Sequence, residues 1–457
     1  MGELSTKSII GLWTEEPDPA DPTQVVRPPA GTTVNVWDYE TGAPLAPVVT
    51  GQRGYIPPTD YPGVRVFAVS TGPDFAAATV AFPSETLMGA IVDAGLTADV
   101  SEAWPTYAHP YVGERHRHFD PIKGHYHASP DDAGWRTKLL GTRRGFRSTT
   151  ISIMGSSSVA GQSSPGLLSW GLLMRDRLAA AGMGVQGTGV TYAGQAFAVS
   201  DPRWTFSAGG VAQVSVCLGA TIDNTSWAQF ASDIAGQNVK IHYQHDGGSF
   251  TYSIDGGAAV AVTTNGSATN GVVTVTGLSN ATHTVKVTGA NATATKLIGI
   301  EVYSNTNGLN VSVAGVGGSV TANWVGSTYS DNWTMARLRV PALTIVAMGG
   351  NDATTAVPLA TFKANLEGII GLNTYSSSGT LLVVMPHANT VDLATYRTYV
   401  SAMYDVADSE GVNLVDMSHR WGSLTQATAG NLMVDTVHPN TAGHEDYASA
   451  VAAMILG

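Results

Sequence analysis

Ser157, Asp435 and His438 are the residues whose types combine most directly into chemistry. A serine supplies a hydroxyl nucleophile, a histidine takes its proton, and a carboxylate orients the imidazole. These three are the minimum for serine-based acyl transfer. Ser157 stands in Gly155-Ser156-Ser157-Ser158, after the strand-like run Thr150-Ile151-Ser152-Ile153-Met154 and before a helix-like run that begins near Pro165. A strand-to-helix junction of that kind lies at the carboxyl edge of a sheet, where open α/β folds place their ligands. Asp435 and His438 share the stretch Asp435-Thr436-Val437-His438-Pro439. Their spacing lets one helical turn aim both at the same point.

Two further segments supply candidate hydrogen-bond donors. The run Leu343-Thr344-Ile345-Val346-Ala347-Met348 reads as a buried parallel strand and leads into Gly349-Gly350-Asn351-Asp352. Asn351 then stands at the same sheet edge as Ser157. Leu309-Asn310-Val311-Ser312-Val313 reads as another strand and ends in Ala314-Gly315-Val316-Gly317-Gly318. A glycine-rich strand end brings a backbone N–H close to a substrate oxygen. The backbone N–H groups of Ser157 and Gly318, with the Asn351 side chain, make an oxyanion hole of three donors, each worth ~10²–10³ in rate. Gly194 is a rival for the glycine position. Asp352 reads as a residue that fixes the Asn351 loop, His387 as a loop histidine or a pocket residue, and His444 as a solvated histidine on the last helix.

These four blocks resemble the SGNH hydrolase superfamily of GDSL-type esterases. Gly155-Ser156-Ser157 corresponds to its first block, Ala314-Gly315-Val316-Gly317-Gly318 to its second, Gly349-Gly350-Asn351-Asp352 to its third and Asp435-Thr436-Val437-His438-Pro439 to its last. Ser156 replaces the aspartate that usually precedes the nucleophile, and Val313 stands where the second block usually has asparagine. The resemblance covers residues 148–457. It implies a three-layer α/β/α, flavodoxin-like hydrolase domain and a serine esterase. Ser157 is then the nucleophile, His438 the base, Asp435 its orienting carboxylate, and Ser157, Gly318 and Asn351 the oxyanion hole. That reaction needs no metal and no cofactor.

The hydrophobic pattern divides the chain. Residues 1–85 alternate short β-prone runs (Thr32-Thr33-Val34-Asn35-Val36-Trp37; Val64-Arg65-Val66-Phe67-Ala68-Val69) with turn chemistry and read as a small N-terminal β-sandwich. Residues 86–148, rich in Pro, His and aromatic residues, read as a connector. The α/β pattern occupies 149–457, with strands near 150–154, 309–313, 343–348, 380–385 and 412–416. A helix is expected over about 165–181, from Leu167, Trp170, Met174 and Leu178 along one face. Between 188 and 305 the period changes to two. Lys240-Ile241-His242-Tyr243 and Phe250-Thr251-Tyr252-Ser253-Ile254 flank Asp246-Gly247-Gly248, a hairpin signal. The economical reading is a β-sandwich inserted into the hydrolase domain, either one wall of the substrate cleft or a scaffold.

Composition narrows the partners. The formal net charge is −12 with only 13% charged residues. That argues against nucleic acid and anionic membranes as primary partners. No apolar run is long enough to span a membrane. The lone cysteine, Cys217, excludes an intrachain disulfide and reads as a buried thiol. The N-terminus has no secretory h-region. In the connector, His116 and His118, and His125 and His127, form two His-x-His pairs beside His109. In an extended strand each pair shares one face and could hold a metal, in a homotrimer around an axial ion, or form a polar loop or interface. The metal is left out of the candidate site.

An esterase with an N-terminal β module and a β insertion also resembles phage minor tail or baseplate proteins that carry such a domain. This resemblance implies a virion location, docking to tail proteins through residues 1–148, and a glycan or lipid ester of the host surface as substrate. The alternatives are a receptor-binding tail protein without turnover, and an extracellular carbohydrate esterase with glycan-binding β modules.

Overall fold

The structure, a computed structural model, describes residues 124–127, 133–162, 169–193, 201–207, 219–326, 331–375, 378–388 and 390–456. It also describes, as backbone only, short strands before residue 121 and at 211–213. Gly194, Cys217, His109 and His116 lie outside the described residues. The chain divides into two compact units, Met1–Pro110 and Tyr111–Gly457.

Among the described residues of the first unit the strand pairings are antiparallel. Thr33–Asp38 lies between Pro44–Val49 and Val66–Ser70. Glu16–Asp18 pairs with Asp21–Val26, and Ser8–Ile9 with Thr59–Asp60. The two runs singled out in the sequence fall on Thr33–Asp38 and Val66–Ser70.

The second unit is built on one sheet. Its sheet strands, the longer helices that cover them and the short helices that follow β3 and β5 are, in chain order and apart from the inserted strands, β1 (His118–Asp120), β2 (His125–His127), α1 (Ala133–Arg143), β3 (Thr149–Gly155), α2 (Ser157–Ala160) and α3 (Trp170–Ala180). After the insertion come β4 (Leu309–Gly315), β5 (Leu343–Met348), α4 (Gly350–Thr354), α5 (Leu359–Tyr375), β6 (Gly379–Val384), α6 (Leu393–Glu410), β7 (Asn413–Asp416) and α7 (Thr441–Leu456). The strand order is β4-β3-β5-β6-β7-β2-β1. The first five strands are parallel, and β2 and β1 add an antiparallel edge. So β1, β2 and α1, all within the stretch read as a connector, belong to this unit.

The sheet strands are apolar runs because both faces are covered. On one face Ile151, Ile153, Val311, Leu343, Ile345 and Val383 pack with Trp135 and Leu139 of α1, Trp170 and Met174 of α3, and Tyr447 and Val451 of α7. On the other, Met154, Val346, Met348, Leu382 and Leu414 pack with Phe362 and Leu366 of α5 and Tyr396 and Met403 of α6. Helix α3 begins at Trp170, later than the sequence pattern places it, and buries Trp170, Met174 and Leu178 as that pattern requires. Leu167 lies outside the described residues.

Between α3 and β4, strands from Thr191 to Tyr303 form two antiparallel sheets. One has Thr295–Tyr303 between Ala220–Ile222 and Asn238–Gln244. The other has Thr284–Gly289 between Trp227–Ala231 and Phe250–Ile254. Trp204, Phe230, Ile241, Phe250, Val287, Leu297 and Ile300 fill the space between them. The hairpin expected at Asp246-Gly247-Gly248 is not formed. Asn238–Gln244 pairs with Thr295–Tyr303 and Asn270–Val275, while Phe250–Ile254 belongs to the opposite sheet. The turn crosses between sheets because it is anchored elsewhere. Lys296 Nζ donates to Asp246 Oδ2 at 2.7 Å, and Gly248 N donates to Ala294 O at 2.8 Å. A Cβ on Gly248 would lie 1.7 Å from the Thr293 carbonyl, so no other residue fits.

The sandwich is joined to the catalytic sheet by charge as well as by chain. The Asp233 carboxylate takes Arg175 of α3 at 3.0 Å on one oxygen and Arg203 at 2.7 Å on the other. Arg203 is also held by Asp201 at 2.6 Å. Both arginines are buried. Burial works to lower the Arg203 pKa, but its two carboxylates outweigh that and raise it. Burial works to raise Asp233, and the two guanidinium groups hold it below its ordinary value.

Candidate active site

Strand β3 ends at Gly155, and two residues later α2 begins with Ser157. The helix can start that close to the sheet only because the strand ends lack side chains. A Cβ on Gly155 would meet Ala347 O and Val159 Cγ2 at 2.4 Å, and one on Gly315 would meet Ala160 N at 2.1 Å. Ser157 is nearly buried, and its backbone N–H belongs to the first turn of α2, where helical donors lack intrahelical acceptors. Ser156, which departs from the resembled block, takes the N-cap position in extended conformation without a side-chain cap.

The structure brings the three predicted residues together. His438 Nε2 lies 3.1 Å from Ser157 Oγ, and His438 Nδ1 lies 2.8 Å from Asp435 Oδ2. With Nδ1–H donating to the carboxylate, Nε2 faces the serine as an acceptor, the state a general base needs. Asp435 and His438 do not share a helical turn, as the spacing had suggested. They stand in a bend before α7, where Asp435 Oδ1 accepts the N–H groups of Val437 at 2.7 Å and His438 at 2.6 Å. Burial pushes the Asp435 carboxyl up. The bonds from the His438 ring and these two backbone groups outweigh it and hold the group below the usual carboxylate range. The bend is itself closed by Val434 N donating to His438 O at 3.0 Å.

Asn351, on α4, donates from Nδ2 to the Ser319 carbonyl at 3.0 Å. That leaves its second N–H for another acceptor. Gly318 immediately precedes Ser319 and takes the left-handed conformation (φ 73°). The loop carrying both is fastened at several points. Ser319 Oγ accepts Trp324 Nε1 at 3.1 Å and donates to Gly155 O at 3.4 Å. Asp352 Oδ1 accepts Thr321 N at 2.9 Å and Thr321 Oγ1 at 2.6 Å. Asp352 is buried, which raises its pKa against the pull of the Thr321 hydrogen bonds. Its role is thus positional, and it fixes the glycine loop rather than only its own. Ser319, Thr321 and Trp324 were missed in the sequence because hydroxyl and indole anchors of a loop have no characteristic spacing.

The other histidines separate from this group. His444 is fully buried and accepts the Trp170 N–H at Nδ1 (3.2 Å), which corrects the solvated reading. It projects from α7 into the apolar layer against α3, and burial, with His438 nearby, lowers its pKa to about 4. His387 donates Nε2–H to Val391 O at 2.8 Å, a loop contact. His125 is buried with Nε2 2.8 Å from Ala450 O, and its ring meets His127 edge to face at 6.3 Å. Among the described residues no group of three or more His, Cys, Asp or Glu could hold a metal, and no helix is long and apolar enough to cross a membrane.

Comparison with known proteins falls on the same elements. Residues 282–445 match the GDSL-like lipase/acylhydrolase family. The matched stretch contains Gly318, Asn351, Asp435 and His438 but begins well after Ser157, because the insertion separates the nucleophile from the other blocks. A solved structure described as "Peptidoglycan O-acetylesterase in action, 5 min" is similar in fold over 72% of this chain and 95% of its own. Its identity is 16% and its TM-score 0.56. A two-domain esterase (CEX) active on acetylated mannans is similar over 74% of this chain and 57% of its own, at 12% identity and a TM-score of 0.36. A family two carbohydrate esterase from Cellvibrio japonicus covers 56% of this chain and 95% of its own, at 13% identity and a TM-score of 0.26. Among curated proteins nothing matches. The chain carries a GDSL-like lipase/acylhydrolase domain on a mixed α/β fold with several sheets. The class so defined is that of the serine ester hydrolases.

Proposed function

We propose that this protein removes short acyl groups, acetyl above all, from cell-envelope glycans by way of an acyl-serine. The contact that carries the reading is Ser157 Oγ to His438 Nε2 at 3.1 Å, with Asp435 on the far side of the ring. His438 takes the Ser157 proton as Oγ attacks the ester carbonyl, and Asp435 steadies the imidazolium. The oxyanion is met by the backbone N–H groups of Ser157 and Gly318 and by the free N–H of Asn351. Collapse returns the proton from His438 to the departing alcohol. Water, deprotonated by His438, then attacks the acyl-serine and releases the acid.

A glycan ester suits the rim of the site. The side chain of Asp435 is 47% exposed and Val434 52% exposed beside His438. An open rim accepts a small acyl group on a bulky alcohol more readily than a long acyl chain that needs an apolar tunnel. A peptidoglycan O-acetylesterase shares the fold, which agrees with this choice. The layering of helices on both faces of the parallel sheet supports the three-layer α/β/α assignment. The docking role of the N-terminal β unit, the virion tail location and the trimer belong to the same proposal. The docking role rests on Met1–Pro110 being a compact unit of its own, distinct from the one holding the triad. A purified chain that stays monomeric at high concentration would remove the trimer.

The test is hydrolysis of p-nitrophenyl acetate, butyrate and octanoate, and acetate release from O-acetylated peptidoglycan, by wild type and Ser157→Ala. Activity confined to the wild type and falling with acyl length is expected. Preference for octanoate would move the substrate to lipid esters. Absence of turnover on all four would defeat the esterase reading in favour of a binding protein.

A further inference from the structure

Far from the triad, the start of the sheet carries a surface unlike the rest of the chain. Helix α1 and the loop after it read Lys138-Leu139-Leu140-Gly141-Thr142-Arg143-Arg144-Gly145-Phe146-Arg147, four cations within ten residues of a chain with formal net charge −12. Arg143, Arg144 and Arg147 are exposed and pair with no carboxylate among the described residues. Three large apolar side chains stand open beside them: Phe146 is 75% exposed, Val340 72% and Leu140 46%. Between these segments lies a cleft of about 290 Å³ lined by Lys138, Arg147, Thr149, Arg339, Val340 and Pro341, among others, with no carboxylate in its lining. Arg339 is already matched by Glu301 and by Gln186, so the cations offered to a ligand are Arg143, Arg144 and Arg147.

We propose that this surface docks the protein on an anionic phospholipid bilayer. Each component fits that occupant. Exposed arginines on a locally cationic patch meet phosphodiester headgroups, the cleft accepts one headgroup, and an aromatic and two branched apolar side chains enter the acyl boundary. A soluble polyanion would use the cations but would gain nothing from Phe146, Val340 and Leu140. The expectation drawn from net charge, that anionic membranes are not partners, is overridden locally, because screening confines the relevant field to about 10 Å around the patch.

The position of the patch adds a consequence. Thr149, in the cleft, opens β3, and Gly155 closes it two residues before Ser157. Seven strand residues span about 20 Å. A molecule seated through this surface turns its triad away from the bilayer, toward the layer where envelope glycans lie. Only this last point rests on the esterase reading, and the docking itself does not.

Sedimentation of the full chain with vesicles tests it, using phosphatidylglycerol with phosphatidylcholine (1:1) against phosphatidylcholine alone. Binding to the anionic vesicles, weakened by high salt, is expected. Arg143→Gln/Arg144→Gln/Arg147→Gln should reduce partitioning on the order of 100-fold. Phe146→Ser/Val340→Ser should reduce it by roughly tenfold or more. Hydrolysis of p-nitrophenyl acetate should be unchanged in both, which separates this test from that of the triad. The proposal is overturned by equal binding to neutral vesicles, by no binding at low salt, or by an arginine variant that binds as wild type. Glycerol phosphate binding without vesicle sedimentation would also overturn it, in favour of a soluble anion.

Discussion

The catalytic sheet and the inserted sandwich bury their polar groups for different ends. At the sheet edge, Asp352, Ser319, Thr321 and Trp324 form a chain of hydrogen bonds whose product is the position of a loop and of the Asn351 amide. In the sandwich, Asp201, Arg203, Asp233 and Arg175 neutralise one another, and the product is a rigid junction with α3. His438 and His283 repeat the contrast. The His438 ring is bonded on one nitrogen by Asp435 and presents the other to Ser157. The His283 ring meets Asp255 at 2.7 Å on one side and the carbonyls of Gly236 and Ser279, each at 3.0 Å, on the other. A histidine with one free lone pair can work as a base. One enclosed by acceptors on both sides is a charged staple.

The largest effect that would sharpen this contrast is on turnover. Ser157→Ala should lower kcat by about 10⁴-fold or more while the urea midpoint stays within error of wild type. A mutant that kept its activity would mean that the edge group is structural too. Asn351→Ala should cost ~10²–10³ in kcat with little change in KM, because the amide acts on the developing oxyanion. A change confined to KM would assign Asn351 to substrate binding instead.

In the sandwich, Asp233→Leu should cost about 3 kcal/mol of stability, since it removes the carboxylate that two buried guanidinium groups share and leaves each with one partner. Hydrolysis per folded molecule at 25 °C should hardly move. A loss of activity larger than the loss of folded protein would make the junction part of the catalytic apparatus.

The smallest effect is one of pH. Burial works to lower the His283 pKa, but Asp255 and the two carbonyls outweigh it and raise it. Its contribution to stability is therefore complete below the unfolded value of about 6.5 and is lost as pH rises through the higher native value. His444 has the opposite sign. Buried and held near 4, it stabilises above about 6.5 and loses that contribution as pH falls toward 4. Urea midpoints across pH 4.5 to 8.5 should show the gap between wild type and His283→Gln narrowing as pH rises. A gap that widened would mean the ring is not protonated on both nitrogens.

Much of the catalytic half was legible because its signals are local. The strands β3 and β5 are short apolar runs ending in glycine, and Asp435 and His438 lie within one bend. The sandwich strands also showed their period of two, yet their pairing was misread at Asp246-Gly247-Gly248. A turn signal specifies a reversal of the chain, and it does not specify which sheet receives each arm. That was decided by the 293–296 segment, almost fifty residues away, which anchors Asp246 and Gly248. His444 was misread because its apolar neighbours come from α3 and from its own helix together, and only α7 is adjacent in sequence.

The amino-acid sequence by itself determined which side chains are available for acyl transfer, that Ser157, Gly318 and Asn351 follow strand ends, and that a region of different period interrupts the α/β pattern. These follow from residue type and from spacing along a few turns or strand steps, where the backbone geometry is nearly fixed. Tertiary structure decided the rest. It closed the 281-residue separation between Ser157 and His438 to 3.1 Å through the parallel sheet that runs from β3 by β5 and β6 to β7 and through the packing of α7 on α3. It also drew β1, β2 and α1 into the catalytic unit and gathered cations and apolar groups at the edge opposite the triad. Contacts of such range depend on how covered faces stack, which no local period encodes.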